Sequence, residues 1–362
     1  MTTPRFHRLA VNDLRRETAD AVSMTFAIPR ELAGDYSFLP GQYLTLRTSM
    51  DGEEVRRSYS ICSGPDDGEL RIAVKKVDGG AFSSWAADEL KSGDELDVMT
   101  PTGRFGVAHA PDQARLHVGF AAGSGITPVL SIARTVLARE PRSEILLVYG
   151  NRNSRSIMFA ETIEDMKNRH IGRLSVLHVL SREQQEVALA NGRIDADKVR
   201  AIGRSLIDPA AIDGAFICGP EAMTVAVRAA LTEIGVPADR IQVELFTTSQ
   251  ARARRTAPRR AMPAEAGAVV ATVEAIVDGQ RHTFPFTSGD GGVVDAAERA
   301  GIELPYSCRG GMCCTCRAKI VEGKARMETN YSLEPWEIEA GFTLACQSRP
   351  TTDRLVLDFD QT

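Results

Sequence analysis

The chain has 362 residues, of which 43% are hydrophobic and 25% are charged, and its formal net charge at pH 7 is −5. This composition is typical of globular protein, and the length allows two or three hydrophobic cores. The acidic balance gives no reason to expect nucleic acid as a partner. No run approaches the roughly 18 apolar residues that a membrane helix needs, so we expect no membrane partner either.

The segment 1–111 consists of short β-rich runs separated by turn dipeptides such as Pro40-Gly41 and Asp51-Gly52. The runs read SMTFAI, YLTLR, ELRIAVKKV and DELDVM. This pattern predicts an antiparallel β-barrel. The stretch FSSWAADELKSGD has helical spacing and predicts one helix that caps the barrel.

Two stretches of this segment suit a flavin. Arg57 and Tyr59 would share one face of a strand, with Ser60 pointing away unless the strand bends. They offer a cation for phosphate, a ring for stacking and a hydroxyl for the reactive ring nitrogen. The stretch 80–84, GAFSS, precedes the predicted helix at Trp85, so its backbone N–H groups could receive a pyrophosphate. An ordinary serine N-cap is the alternative for that stretch.

In the segment 112–246, apolar strands alternate with helix-like stretches, and each strand ends in polar or glycine-rich residues. The strands read LHVGFAAGSG, EILLVYGNR, LSVLHVLSR and GAFICGP. Such alternation predicts a parallel α/β sheet. Because ligands of these sheets bind beyond the carboxyl ends of the strands, the residues that follow each strand are the binding candidates.

The loop GSGITP at 123–128 follows the first of these strands and opens a helix, with Pro128 near its first turn. Its glycines allow close approach to phosphates and the helix start supplies N–H donors, although the loop is not the usual GxGxxG. Cys218 ends another strand at the same rim, and a buried structural cysteine is the alternative interpretation of this residue.

Three arginines follow neighbouring strands or turns of this segment, namely Arg152, Arg182 and Arg193. Converging guanidinium groups suit a phosphate such as the 2′-phosphate of NADP. Ordinary surface arginines are the alternative. The pattern therefore favours NADPH over NADH as the cosubstrate.

The C-terminal third begins with a change of composition. Residues 247–267 carry five arginines against one glutamate, with two prolines and almost no bulky apolar residue, and this predicts a solvated linker. The segment 268–362 then opens with two β-like runs that turn at Asp278-Gly279, continues with the short helix GGVVDAAERAGI and ends in RLVLDF. We expect a compact α+β domain.

Four cysteines of this segment have the spacing C-x4-C-x2-C, followed by the fourth after 29 intervening residues: Cys308, Cys313, Cys316 and Cys346. This is the plant-type [2Fe–2S] spacing, and Gly310 and Gly311 allow the loop to approach a cluster closely. Structural zinc, which favours paired C-x2-4-C knuckles, is the alternative. Cys314 lies off the spacing and is expected not to be a ligand.

The seven cysteines are an odd number, and the chain opens Met-Thr-Thr-Pro-Arg-Phe-His without an apolar signal segment. Disulfides are therefore less expected than thiolate ligands, and the sequence predicts a reducing, cytoplasmic location. Arg309, which directly follows the first cysteine ligand, is a candidate for electrostatic influence at the cluster rim; an ordinary solvated arginine is equally expected.

In this order, RSYS, GGAFSS, AAGSGITP, the CGP triplet and the cysteine spacing resemble the ferredoxin–NADP reductase superfamily fused to a C-terminal plant-type ferredoxin. The segments RRSYSICS, FICGPEAM and METNYSLEPWEIEAGFTLACQSRP are similar to the group of reductase components that serve bacterial phenylacetyl-CoA epoxidases. The resemblance implies a multidomain fold. Its parts are an FAD-binding antiparallel β-barrel at 1–111, an NADP-binding α/β parallel-sheet domain at 112–246, a linker at 247–267 and a β-grasp α+β ferredoxin domain at 268–362.

The resemblance also implies the site residues. The FAD candidates are Arg57, Tyr59, Ser60, Lys75, Gly80, Phe82 and Ser83. In simpler members a C-terminal aromatic residue covers the flavin, whereas here the chain runs on past Phe246, so Phe246 is only a candidate neighbour of the isoalloxazine. The nicotinamide nucleotide candidates are Gly123, Ser124, Gly125, Thr127, Arg152, Ser181, Arg182, Arg193, Cys218, Gly219 and Pro220. Ser60 and Cys218 are the candidates nearest the chemistry, and the four spaced cysteines are the metal ligands.

The implied function is electron transfer from NADPH through FAD and the [2Fe–2S] cluster to a separate oxygenase component. This order follows from valence, because nicotinamide transfers two electrons, the cluster transfers one, and flavin can do both. Two alternatives stay open at this point. The chain could serve another ring or steroid hydroxylase, or it could be an electron carrier without reductase activity of its own.

Overall fold

The computed structural model describes residues 4–108, 110–246 and 267–361. Phe6–Phe246 form one compact unit, and the described residues from 267 onward belong to a second. The predicted linker lies outside the described residues, except for its last position, Gly267. None of the helices within these three described ranges has both the length and the hydropathy that a membrane crossing requires.

The N-terminal part of the first unit is the predicted antiparallel barrel. Its strands are β1 (Phe6–Thr18), β2 (Ala21–Phe26), β3 (Tyr43–Met50), β4 (Glu53–Ser60), β5 (Arg71–Lys75) and β6 (Glu95–Met99). The six follow the order β4-β3-β6-β1-β2-β5, and a bridge between Ile61 and Ile72 joins the two outer strands. Asp51 and Gly52 both have positive φ angles, 53° and 80°, as a tight two-residue hairpin turn requires.

One helix, α1 (Ala81–Asp88), connects β5 to β6 and packs on the barrel through Phe82 and Ala86. The core of the barrel consists of alternate strand residues such as Leu44, Leu46 and Ile72, all fully buried. This alternation is the period of two that a half-buried strand imposes. The barrel therefore places the end of β4 and the start of α1 near each other.

The remainder of the first unit is a parallel sheet with helices between its strands. The strands are β7 (Leu116–Ala122), β8 (Glu144–Asn151), β9 (Leu174–Leu180), β10 (Ile212–Gly219) and β11 (Ile241–Leu245). The helices are α2 (Ile126–Arg139), α3 (Ala160–Arg169), α4 (Ala196–Ser205) and α5 (Glu221–Glu233). The strand order is β11-β10-β7-β8-β9. The chain leaves β7 toward β8 and β9, then returns to the other side of β7 with β10, so β7 and β10 flank the topological switch point.

The second unit is a mixed sheet with one main helix. Its elements are β12 (Val269–Val277), β13 (Gln280–Thr287), α6 (Val293–Arg299), β14 (Arg317–Glu322), β15 (Ala325–Met327), α7 (Pro335–Glu339), β16 (Phe342–Leu344), β17 (Ser348–Pro350) and β18 (Arg354–Asp358). Five strands form a sheet of order β13-β12-β18-β14-β16, in which only β12 and β18 are parallel. The apolar side of α6 packs with Phe284, Phe286 and Leu355 in one core. A helix packed on a mixed sheet of this kind agrees with the predicted β-grasp domain.

Candidate functional site

Strand β4 brings Tyr59 against Phe82 of helix α1. The two rings stack with their centroids 5.7 Å apart and their planes at 30°. Phe82 is 1% exposed, so it supports Tyr59 from within the barrel core and does not itself face solvent. Arg57, two positions earlier on the strand, donates from Nη1 to the carbonyl of Arg56 at 2.7 Å. Of these predicted flavin residues, Tyr59 and Arg57 are the ones that keep exposed surface.

At the end of β4, the Ser60 hydroxyl donates to Oε2 of Glu244 at 3.1 Å. Glu244 lies on β11 directly beside Cys218 of β10. Part of the Glu244 residue remains exposed, but its carboxyl group is enclosed by protein, and this burial raises the pKa of Glu244 to about 8. The carboxyl is therefore mostly neutral at pH 7. The sequence alone did not indicate Glu244 as a site residue. Its one distinguishing feature there is that it is an acidic residue near the end of an apolar strand.

Cys218 is fully buried, and burial raises the pKa of its thiol above the ordinary range. Such a thiol is neither a nucleophile nor a base at neutral pH. Its backbone carbonyl also approaches the loop after β7, because a Cβ added at Gly125 would lie 2.2 Å from the Cys218 oxygen. Cys218 thus lies beside Glu244, the hydrogen-bond partner of Ser60, and any direct part in the reaction stays a prediction.

The predicted pyrophosphate loop differs from expectation in one respect. Helix α1 begins at Ala81, four residues before Trp85, and Gly80 is its N-cap residue. The Ser83 hydroxyl lies inside the first turn, where it donates to the Gly80 carbonyl at 3.1 Å and accepts from the backbone of Val77 at 3.1 Å. Gly80 permits this tight turn, since a Cβ there would lie 2.6 Å from the Ser83 Oγ.

The start of α1 retains the donors that an anion needs. Within the described ranges, no side chain hydrogen-bonds as a cap at Gly80. The first N–H groups of a helix have no partner within the helix, and they suit a phosphate. Lys75, the last residue of β5, precedes this turn in the chain, and its Nζ is 3.6 Å from Oδ1 of Asp20.

The nucleotide loop forms a single tight turn, Gly123–Gly125, between β7 and α2. Gly123 has a φ of 55° and its carbonyl accepts a hydrogen bond from the Tyr149 hydroxyl at 3.0 Å. Thr127 donates to the Ser124 carbonyl at 3.0 Å, which braces the turn from within the first turn of α2. The loop lies at the topological switch point, where parallel sheets bind ligands.

The carboxyl edge of the parallel sheet also includes the end of β10 and the start of α5. A Cβ added at Gly219 would lie 2.6 Å from the Met223 Cε, so the flexible end of that methionine packs directly on this position. Pro220 is the N-cap residue of α5. Both therefore lie at the carboxyl end of β10, beside the loop after β7, as the prediction for the nucleotide site requires. Phe246, just after β11, packs against the same core as Cys218.

The three predicted phosphate arginines lie at one edge of the parallel sheet. The backbone N–H of Arg182 donates to the Arg152 carbonyl at 2.7 Å, and the backbone N–H of Ser181 donates to the Asn151 carbonyl at 3.0 Å. Arg193 lies two positions after Asn191, which bridges to Leu180 at the end of β9. Four of the nucleotide candidates at this edge are exposed, namely Arg152, Ser181, Arg182 and Arg193.

Asp20 is a further residue of this region that the sequence did not indicate. Its carboxylate lies 3.6 Å from Lys75 and 3.6 Å from Arg152, so it links a flavin candidate of the barrel to a nucleotide candidate of the sheet. Burial opposes ionisation, but the Thr18 hydroxyl and the two cations together hold the pKa of Asp20 below its usual value. Asp20 is therefore charged at neutral pH.

In the second unit, the four spaced cysteines fall into two pairs. The backbone N–H of Cys313 donates to the Cys308 Sγ at 3.4 Å, and the backbone N–H of Cys308 donates to the Cys313 Sγ at 3.4 Å. The thiols of Cys316 and Cys346 form the second hydrogen-bonded pair. Among the described residues, no three Cys, His, Asp or Glu side chains are grouped to hold a single metal ion. Two thiolate pairs give two ligands to each of two irons, and the spacing C-x4-C-x2-C with a distant fourth cysteine is that of a [2Fe–2S] cluster and not of paired zinc knuckles.

The loop around these cysteines supplies donors to sulfur. Gly310 donates its N–H to the Cys308 Sγ at 3.3 Å. Gly311 has a φ of 75°, and a Cβ there would lie 2.6 Å from the Thr329 carbonyl oxygen, so the loop path requires glycine. The Cys314 thiol instead donates to the Ser332 hydroxyl at 3.0 Å. The residues present therefore fit a [2Fe–2S] cluster with Cys308, Cys313, Cys316 and Cys346 as ligands.

Arg309 is not an ordinary solvated arginine. Its guanidinium pairs with Asp295 at 2.6 Å and Glu298 at 2.8 Å, and it lies 4.2 Å from the Tyr306 ring centroid. Asp295 and Glu298 belong to α6, so Arg309 fastens the cysteine loop to that helix. Because two carboxylates offset its charge, its electrostatic effect at the rim is smaller than that of an isolated cation.

Three known domain families match the chain in the order of the sites. Residues 8–106 match the oxidoreductase FAD-binding domain, residues 120–229 match the oxidoreductase NAD-binding domain, and residues 275–351 match the 2Fe–2S iron–sulfur cluster binding domain. These matches support FAD, a [2Fe–2S] cluster and a nicotinamide cosubstrate. They overturn the alternative of an electron carrier without reductase activity of its own.

Several relatives align with the chain over nearly its full length. One of the subunits of the 1,2-phenylacetyl-CoA epoxidase from Escherichia coli strain K12 is 44% identical over 360 residues, which is 99% of each chain. The ferredoxin reductase component of 3-ketosteroid-9-alpha-monooxygenase from Rhodococcus rhodochrous is 36% identical over 97% of this chain and 96% of its own. The reductase subunit of glycine betaine monooxygenase from Pseudomonas aeruginosa is 30% identical over 95% and 93%, respectively.

The fold agrees with that of a solved structure. Phthalate dioxygenase reductase, 24% identical, aligns over 98% of both chains with a TM-score of 0.60. The full-length relatives and the three domain matches show an NAD(P)H oxidoreductase. The chain belongs to the ferredoxin–NADP reductase superfamily, in the group of reductase components that join FAD-binding and NAD-binding domains to a C-terminal [2Fe–2S] domain.

Proposed function

We propose that the chain is the NADPH-dependent reductase component of a phenylacetyl-CoA 1,2-epoxidase, acting in the cytoplasm during phenylacetate catabolism. Its electron acceptor is the di-iron oxygenase component of that system. The observation that carries this proposal is the 44% identity to one subunit of such an epoxidase over 99% of each chain. The presence of FAD-binding, NAD-binding and 2Fe–2S domains in one chain supports it.

When bound, FAD would take two electrons from the nicotinamide and release them singly, and the cluster would carry them one at a time. The residues of the chain have positioning roles in this transfer. Tyr59 offers a ring backed by Phe82 for stacking, and the start of α1 offers N–H groups for the pyrophosphate. The turn Gly123–Gly125 offers glycine positions for the nucleotide, and the carbonyl of Cys218, the strand neighbour of Glu244, lies beside Gly125.

Reconstitution with purified oxygenases tests the acceptor. We expect NADPH oxidation by the full-length chain to be coupled to phenylacetyl-CoA turnover with the epoxidase oxygenase. A 3-ketosteroid oxygenase serves as the comparison, because the reductase of that system is 36% identical to the chain. We expect coupling to the epoxidase to be at least about tenfold more efficient in kcat/KM, a difference of about 1.4 kcal/mol. Transfer to the steroid oxygenase with none to the epoxidase would overturn the assignment.

The choice of NADPH is tested at Arg182. We expect Arg182→Ala to lower kcat/KM for NADPH by about tenfold, because a hydrogen bond to a charged group contributes roughly 1.5–3 kcal/mol. The kcat/KM for NADH should change little, since NADH lacks the 2′-phosphate. Steady-state kinetics with both nucleotides measures this.

Arg169→Ala is the matched control, because Arg169 is a 72% exposed arginine at the far end of α3. It should leave both values unchanged. If the wild-type chain shows no preference between the two nucleotides, the role assigned to the arginine cluster is wrong.

A further inference from the structure

Gln347 is a buried amide that directly follows the fourth cysteine of the cluster motif. The residue is 4% exposed. Its Nε2 lies 2.9 Å from the Arg309 carbonyl, 3.2 Å from the Cys346 carbonyl and 3.6 Å from the Cys346 Sγ. One side chain thus contacts both the segment of the fourth ligand and the loop that follows the first.

The contact to Arg309 joins parts of the chain that are 38 positions apart. Arg309 has a φ of 49°, a region that residues other than glycine seldom adopt. Its side chain is held by the two carboxylates of α6, and its carbonyl is held by Gln347. The Gln347 amide therefore fixes an unusual backbone position directly beside the first ligand.

Gln347 is itself held in place. Its backbone carbonyl accepts from the backbone N–H of Glu328 at 2.9 Å. Its Cγ would lie 3.3 Å from a Cβ at Gly311, so the cysteine loop packs closely on its aliphatic part. A buried and anchored side chain of this kind keeps its donor atoms in a fixed direction.

The side-chain nitrogen of Gln347 carries two hydrogens, whereas three acceptors lie around it. The Arg309 carbonyl takes one hydrogen, and the Cys346 carbonyl and sulfur share the other. A ligand thiolate is a stronger acceptor than a thiol, because hydrogen bonds to ionised groups are stronger. An electron added to the cluster increases the negative charge on the ligand sulfurs, so such a hydrogen bond favours the reduced state.

We propose that Gln347 is a positioning residue that holds Cys346 against the Cys308 loop and raises the reduction potential of the [2Fe–2S] cluster through its side-chain amide. This role is separate from the identity of the electron acceptor. It depends only on the cluster, so its test needs no oxygenase.

Gln347→Met tests this in the full-length holoprotein. Methionine keeps the length and flexibility of glutamine and removes the N–H donor. We expect the equilibrium constant for one-electron reduction of the cluster to be about tenfold lower than in the wild type. The reduction potential of the cluster then falls by about 59 mV. Anaerobic redox titration followed by EPR measures the potential. The g values of the reduced cluster should also shift.

Gln280→Met is the matched control, because Gln280 is an exposed glutamine at the start of β13. It should keep the wild-type potential. A purely structural role for Gln347 would lower the iron content and leave the potential of the loaded fraction unchanged. An unchanged potential and EPR spectrum in Gln347→Met would therefore overturn the proposal.

If Gln347→Met does not retain a cluster, a measurement on the wild-type chain tests the hydrogen bond from the Gln347 amide. Gln347 is the only glutamine between positions 281 and 360. With ¹⁵N in the glutamine side-chain amides, pulsed EPR of the reduced cluster should detect a ¹⁵N coupling. The same coupling should be present in the labelled Gln280→Met variant. The lack of such a coupling would refute the hydrogen bond.

Discussion

Cys346→Ser is expected to stop electron delivery through the cluster while NADPH still reduces the flavin. Cys346 pairs with Cys316, and its loss leaves one thiolate for the second iron. Loss of residues that merely support metal ligands costs about 10–100-fold in affinity or activity, so loss of a ligand should cost roughly 100-fold or more. Iron and sulfide content, flavin bleaching by NADPH and reduction of cytochrome c together measure the effect.

Cys314→Ser is the matched control for this prediction. Cys314 lies within the same loop, but its thiol donates to the Ser332 hydroxyl at 3.0 Å. A serine hydroxyl can replace that donor, so iron content and cytochrome c reduction should stay near wild-type values. The ligand assignment would be wrong if Cys314→Ser lost the cluster and Cys346→Ser retained it.

The elements that the sequence predicts well are those with local causes. The barrel is predicted by short β-rich runs and by turns such as Asp51-Gly52, whose positive φ angles are local requirements. The parallel sheet is predicted by apolar strands that alternate with helices. The grouping of three of the spaced cysteines is local in the same sense, because they lie within nine consecutive positions of one loop, 308–316, and their role as ligands stays a prediction.

The contacts that the sequence does not predict join distant segments. Ser60 and Glu244 are 184 positions apart, and their hydrogen bond depends on how the barrel and the parallel sheet pack together. Asp20 likewise reaches Arg152 across these two parts of one unit. Neither periodicity nor a motif marks such residues, because each is a single polar side chain whose partner is set by tertiary packing.

The start of helix α1 illustrates a different limit. The spacing of apolar residues around Trp85 located the helix, but the true start at Ala81 depends on Gly80 and on the Ser83 hydroxyl folding back onto it. Hydrophobic periodicity reports the buried face of a helix and says little about its first turn. The donors proposed for the pyrophosphate are therefore those of Ala81 and its successors.

The rate of flavin reduction by NADPH is expected to fall as the pH rises through about 8, and Glu244→Gln should remove this fall. Burial holds the pKa of Glu244 at about 8, so its carboxyl is neutral below that pH and ionised above it. Hydride transfer brings negative charge to the flavin. An ionised Glu244 carboxylate beside Ser60 would disfavour that charge by repulsion. We expect about a tenfold decrease, or about 1.4 kcal/mol in the barrier, measured by anaerobic stopped-flow between pH 7 and 9.

The same pKa has a consequence for stability. In the folded chain Glu244 binds its proton up to about pH 8, whereas its ordinary value is 4.5. Between these values the folded state binds more protons than the unfolded state, so the free energy of unfolding falls as the pH rises through this window. Glu244→Gln has no such proton to lose, and its Tm relative to the wild type should therefore increase from pH 5 to pH 9.

Glu144→Gln is the control for both measurements, because Glu144 is an exposed glutamate at the opposite end of the parallel sheet, where β8 begins. It should keep the wild-type pH profile of flavin reduction and show no growing Tm difference. A fall in rate near pH 8 that persists in Glu244→Gln would assign the titration to another group. A pH-independent wild-type rate would mean that the Glu244 carboxyl does not influence hydride transfer, and Ser60 would then act on the flavin without it.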